Sequence, residues 1–341
     1  MKIPEAKTDA VACALREAFG ASDMDDIRTM TAGLSKALVF RIVVQGNPYL
    51  LRVIMNTDVA AGPGQGDQTH HFAAMKLAAE AGIGPRVWYT STEDGVSITD
   101  FVTAHSFPRT EALTLLPATL QKLHALLAFP SARVVNFLDA MDKLVQRLET
   151  AEVLPKSEAA ELFDFYAQVK DVYPNDGSET VPSHNDMRPE NILYDGHRAW
   201  LVDWEAAFQN DRYLDLAVVA NFVVTNAAEE DTYLRTYFGE PANEYRRARL
   251  YLMRQLLHLF YPAFIMTLSC KGRSIDSLAG APDLRNVLDR IWAGEIDLAD
   301  DETKLAYAKA HMSQALQNSR TPRFQEALRI VSYKTATLHC E

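Results

Sequence analysis

Apolar positions change their period along this chain. Residues 8–19, rich in alanine, recur at helical spacing and stop at Gly20. Residues 27–30, 38–44 and 49–54 form short β-branched and aromatic runs that predict strands, with Gly46-Asn47-Pro48 as the turn between the last two. A helix over 70–81, closed by Gly82, and strands over 87–89 and 96–102 follow. Thereafter the period is helical: 111–127, 140–150, 158–172, 214–224, 229–238, 244–269, 283–293 and 301–318, with a break at Pro155 and a loop over 173–180. One stretch interrupts the helices. Within 181–216, residues 192–194 and 199–202 read as strands joined by Asp195-Gly196-His197.

The interruption carries the candidate chemistry. Its aspartate in His184-Asn185-Asp186, its Asn191 and its Asp203 are two carboxylates and one carboxamide in the order that phosphoryl transfer needs, because that chemistry is mostly positioning and charge neutralisation. Asp186 would accept the proton of an attacking hydroxyl. Asn191 and Asp203 offer hard oxygens to magnesium, and the predicted hairpin carries them at neighbouring ends. Pro189 donates no backbone hydrogen bond, so 186–191 is expected as a loop.

The pattern H-x-D-x-x-x-x-N, followed by an aspartate after a short strand, resembles the catalytic and metal-binding loops of protein-kinase-like enzymes. It is most similar to the aminoglycoside phosphotransferase and choline/ethanolamine kinase superfamily, in whose choline-kinase-like branch the loops tend to read H-N-D and D-[FW]-E. Here they are His184-Asn185-Asp186 and Asp203-Trp204-Glu205, and Asp215-Leu216-Ala217 supplies the further aspartate usual about ten residues on. The resemblance implies an α+β, protein-kinase-like two-lobe fold with a small, mostly antiparallel β lobe over 1–103 and a larger helical lobe over 104–341. It also implies ATP and Mg2+ in a cleft, Asp186 as catalytic base, and His184, Asn185 and Asp215 in support.

By the same resemblance Arg52 stands where protein kinases carry their phosphate-holding lysine, and a guanidinium suits that place through its forked contacts. Residues 31–36, with Gly33 and Ser35, would cover the phosphates, and the backbone of 99–102, including Asp100 and Val102, would meet adenine. The kinase helix glutamate that pairs with the strand cation has no counterpart. His70 and His71 occupy its region and Glu80 lies too near the helix end, so Asp67 or a histidine substitutes, or the helix is rotated. The implied acceptor is a small amino-alcohol such as choline or ethanolamine, ahead of an aminoglycoside or thiamine, although Ala206 and Ala207 depart from the aromatic usual after the glutamate. Its ammonium would sit against Glu205, Trp204, Tyr213 and Tyr261, among other helical aromatics. The alternative from another class is an inactive nucleotide-binding pseudokinase.

Composition narrows the partners. The net charge of −11 argues against nucleic acid and favours a cationic co-substrate. Cys13, Cys270 and Cys340 have no paired spacing and imply no metal cluster or disulfide framework. No apolar run reaches the roughly 18 residues of a spanning helix. With no basic, apolar leader at the start either, a cytoplasmic protein without membrane insertion is expected.

Overall fold

The computed structural model describes residues 3–30, 37–55, 68–129, 136–269 and 272–338. Gly33 and Ser35 of the expected phosphate loop, and Asp67, fall outside them. In chain order the elements are α1 (Thr8–Phe19), β1 (Asp26–Met30), β2 (Leu38–Val44), β3 (Asn47–Val53), α2 (Gln68–Glu80), β4 (Val87–Ser91), β5 (Val96–Asp100), α3 (Arg109–His124), α4 (Phe137–Ala151) and α5 (Lys156–Val172). There follow β6 (Thr180–Ser183), β7 (Ile192–Tyr194), β8 (Ala199–Leu201), β9 (Phe208–Asp211), α6 (Arg212–Val223), α7 (Ala227–Phe238), α8 (Glu244–Phe264), α9 (Leu284–Trp292), α10 (Asp301–Ser319) and α11 (Pro322–Leu338). This is an α+β fold in two compact units. One comprises Met1–Phe107, Lys122–Arg133 and His184–Phe208; the other comprises Pro108–Gln121, Val134–Ser183 and Gln209–Glu341.

The first unit is built on an antiparallel sheet of order β1-β2-β3-β5-β4. Alternation in β2 and β3 buries Phe40, Ile42 and Val44 with Tyr49, Leu51 and Val53 on one face, where Val11, Ala14 and Leu15 of α1 cover them. Arg52 therefore projects from the opposite face. The β2–β3 corner differs from the expected Gly46-Asn47-Pro48 turn. Gln45 and Gly46 both adopt positive φ, 50° and 79°, which makes the two-residue corner that matches strand twist. Pro48 lies inside β3 opposite Val43, one step past the Val44–Asn47 pair, where no ladder bond to β2 is required of it; pairing with β5 begins only at Tyr49. The β7–β8 hairpin, in register Ile192↔Leu201, belongs to the same unit.

Among the described residues the second unit is helical apart from β6 and the part of β9 from Gln209 on, which pair with each other. Its α8 is buried around nearly its whole circumference from Ala248 to Ala263, as a central helix must be, and packs against α4, α5, α6, α10 and α11. The helix expected over 244–269 is α-helical only to Phe264 and continues as a π-helical turn, Ile265–Ser269. Pro262 lies just upstream, where its ring removes a bond and crowds the preceding carbonyl.

Between α8 and α10, His258 and His311 share a hydrogen bond of 3.0 Å between their Nδ1 atoms, both rings being buried. Burial pushes both imidazoles down, His311 to about 3; at His258 the neighbouring imidazole and Arg254 add to the fall. Because both take up a proton more readily unfolded, stability is full above pH ~6.5 and is lost as the pH falls below it. The His311 share of that loss is ~2 kcal/mol by pH 5. Urea unfolding at pH 7.5 and pH 5 should show this drop, and His311→Asn should flatten it; a slope unchanged in the variant would contradict the assignment.

Candidate active site

The site is assembled almost entirely from one continuous segment of the first unit. β6 ends at Ser183, and the chain then enters the loop through His184, whose ring is fully buried. Its Nδ1 accepts from the Asp186 N–H at 3.3 Å and its Nε2 lies 2.9 Å from the Val202 carbonyl oxygen. These two partners fix the tautomer with the proton on Nε2, which donates to Val202. One ring thus ties the loop that carries Asp186 to the strand end that precedes Asp203. Replacing His184 by Ala strands both backbone groups in the interior and should cost ~3 kcal/mol in urea unfolding. A loss below about 1 kcal/mol would contradict this bracing role.

Asn185 sits in the left-handed region at φ 64°, a conformation Asn tolerates better than most residues. Its Nδ2 donates to the Ala206 carbonyl at 2.9 Å and is 3.4 Å from that of Phe208, which locks the loop to the segment after Asp203. A short helical turn, Pro189–Asn191, begins with the proline and delivers Asn191 to β7. Both Asn191 amide hydrogens serve Asp186: Nδ2 lies 2.9 Å from its carbonyl oxygen and 2.8 Å from Oδ2. Since both partners are acceptors, the amide orientation is forced, and Oδ1 is the remaining acceptor of Asn191.

Hairpin geometry brings the second acid alongside. The Val202 N–H donates to the Asn191 carbonyl at 3.0 Å, so Asp203 follows directly on the partner of Asn191. Asp203 adopts φ 65°, turns the chain into the short helix Trp204–Ala206, and leaves its carboxylate 31% exposed. An amide carbonyl and a carboxylate are the hard-oxygen pair magnesium takes, its other positions being filled by phosphate and water. Asn191 Oδ1 and the 31% exposed Asp203 carboxylate are groups of these two kinds.

Two arginines face these acids. Arg52 Nη1 is 3.1 Å from Asp203 Oδ1, and its Nη2 is paired with Glu205 Oε1. Arg188 forks onto Asp186, with Nε 2.7 Å from Oδ1 and Nη2 3.1 Å from Oδ2. The loss of surrounding water pushes the Glu205 carboxyl above its usual range, with Asp203 and Asp186 adding to the rise and Arg52 opposing it. Arg188 was not singled out from sequence; its signal is a basic residue two positions after the loop aspartate.

On α2, in the region of the absent glutamate, His70 and His71 are both buried. His70 Nε2 bonds the Ala207 carbonyl and its ring stacks on Phe208 at 4.8 Å, which clamps α2 to the site segment. Burial first, then Arg52 and His70, hold His71 down at about 3, against the pull of Asp203, so it is neutral and adds no second positive charge beside Arg52. Arg52 has carboxylate partners in Asp203 and Glu205.

Asp100 spends its N–H on the Arg86 carbonyl at 2.9 Å and its carboxylate on Trp88 Nε1 at 2.7 Å; Val102 is half-buried just beyond. Trp204 is 1% exposed, packed on His184 and Phe129, and among the described residues its Nε1 has no partner. Asp215 and Tyr213 are fully buried in the second unit, Tyr213 beneath Arg249, and Tyr261 packs on Tyr307 and His311 there.

The phosphotransferase enzyme family matches residues 26–251. Protein LicA of Haemophilus influenzae is 30% identical over 78 residues, 23% of this chain and 29% of LicA. The chain spans less than a third of the length of the curated relatives it matches. In fold it is similar to a choline/ethanolamine kinase family protein from Mesorhizobium loti, with a TM-score of 0.65, 21% identity, and coverage of 96% of this chain and 99% of that one. A Plasmodium vivax ethanolamine kinase matches with a TM-score of 0.56 at 13% identity, over 93% and 89%. Among the described residues no helix is long and apolar enough to cross a membrane.

Proposed function

The chain belongs to the phosphotransferase enzyme family, and on that footing we propose that it transfers the γ-phosphoryl group of ATP to the hydroxyl of a small amino-alcohol of the choline or ethanolamine kind. The observation that carries this proposal is the arrangement of Asp186, Asn191 and Asp203. The Asp186 carboxylate is oriented by Asn191, and the hairpin sets Asp203 directly after Val202, whose N–H donates to the Asn191 carbonyl. Asp186 accepts the proton of the acceptor hydroxyl as that oxygen bonds to the γ-phosphorus. The bond from phosphorus to the β-phosphate oxygen breaks, and ADP leaves with the electron pair.

Asn191 Oδ1 and Asp203 would hold magnesium, which when bound neutralises charge on the β- and γ-phosphates. Arg52 would add its guanidinium to the same oxygens. The amino-alcohol class is supported by the H-N-D and D-W-E sequences, by the net charge of −11, and by similarity to proteins named for choline and ethanolamine. Incubation with MgATP and a panel of choline, ethanolamine, thiamine and an aminoglycoside, followed by 31P NMR, should yield a phosphomonoester of choline or ethanolamine. ATP binding without transfer to any acceptor would favour the pseudokinase alternative.

A further inference from the structure

We infer that Glu205 is a positioning residue for Arg52, holding the strand cation toward the nucleotide's phosphates rather than receiving the acceptor's ammonium group. The inference rests on the phosphotransferase reading and assigns one residue of that site. Two terminal nitrogens of Arg52 are divided between two carboxylates, Nη1 to Asp203 and Nη2 to Glu205. Arg52 is 12% exposed in its side chain and projects from the sheet face opposite the core, with both carboxylates as ion-pair partners of its guanidinium. Of the two acids, Asp203 is the one a divalent cation would claim. Once its charge is shared with the metal, Glu205 remains to keep the guanidinium from following or swinging away.

Glu205 is mounted as such a role requires. It is the middle residue of the turn Trp204–Ala206. On one side Trp204 is buried against His184 and Phe129, and on the other the Ala206 carbonyl is held by Asn185. Helix α2 supplies histidines in this region, and His70 is spent on the Ala207 carbonyl. The turn after Asp203 thus does from the loop side what a helix carboxylate would do from α2.

A four-variant cycle tests this: wild type, Glu205→Gln, Arg52→Gln and the double variant. MgATP affinity is measured by calorimetry without acceptor, and KM for choline separately. Glu205→Gln should weaken MgATP about tenfold, and the double variant should bind no worse than Arg52→Gln alone, because each residue acts through the other. KM for the acceptor should stay within about twofold. Multiplicative losses in the double variant, unchanged MgATP affinity in Glu205→Gln, or a rise confined to the acceptor's KM would each overturn the inference. Since the nucleotide arm needs no turnover, failure to phosphorylate any acceptor would count against the proposed function without deciding this point.

Discussion

Asp186→Asn should lower kcat by about 10³-fold while leaving MgATP affinity within a few-fold of wild type. The substitution removes the basic oxygen but keeps the side chain's size. The Asn191 bond to the residue 186 carbonyl, 2.9 Å, and the His184 bond to its N–H do not depend on the carboxylate, so the loop stays in place. What is lost is the proton acceptor and one arm of the Arg188 fork. Initial rates at saturating choline, with calorimetric titration of MgATP, separate the two effects. Retention of more than about a tenth of the activity would remove Asp186 from the chemistry.

Asp203→Asn should cut kcat/KM by about 10³-fold, through the metal rather than through folding. Its φ of 65° is strained for most side chains, yet Asn accepts it, so the turn into Trp204 survives where Ala would add backbone strain. Arg52 keeps Glu205 as a partner. The signature is therefore selective: affinity for ATP with magnesium falls steeply, while affinity for ATP in the presence of chelator is unchanged or improved, since one negative charge has left the site. An identical response to magnesium in wild type and variant would show that Asp203 does not serve the metal.

The order of these residues was legible because they lie within one short segment, and the local rules of turns and strands join Asn191 to the neighbour of Asp203. The end of α1 was legible for the same reason, since Gly20 adopts the left-handed cap its type predicts. Contacts distant in sequence were not legible. Nothing in the pattern links Arg52 to Glu205, 153 residues on. Trp204 matched a motif position, but a motif states a residue type and not which side of a turn enters the core. Strand β6 was missed because it has only four residues and Pro182 reads against a ladder. Helix α11 was missed although its start was marked: Thr321 Oγ1 accepts from the Phe324 N–H and Pro322 occupies the first helical position.

A crystal grown with Mn2+ and a non-hydrolysable ATP analogue would put the account to its most direct test, because manganese is located by its anomalous signal. The expected result is a peak ~2.0–2.2 Å from both Asn191 Oδ1 and an Asp203 carboxylate oxygen, with the γ-phosphate beside Asp186. A metal bound elsewhere, or Asp203 still closed on Arg52 with the nucleotide in place, would contradict it.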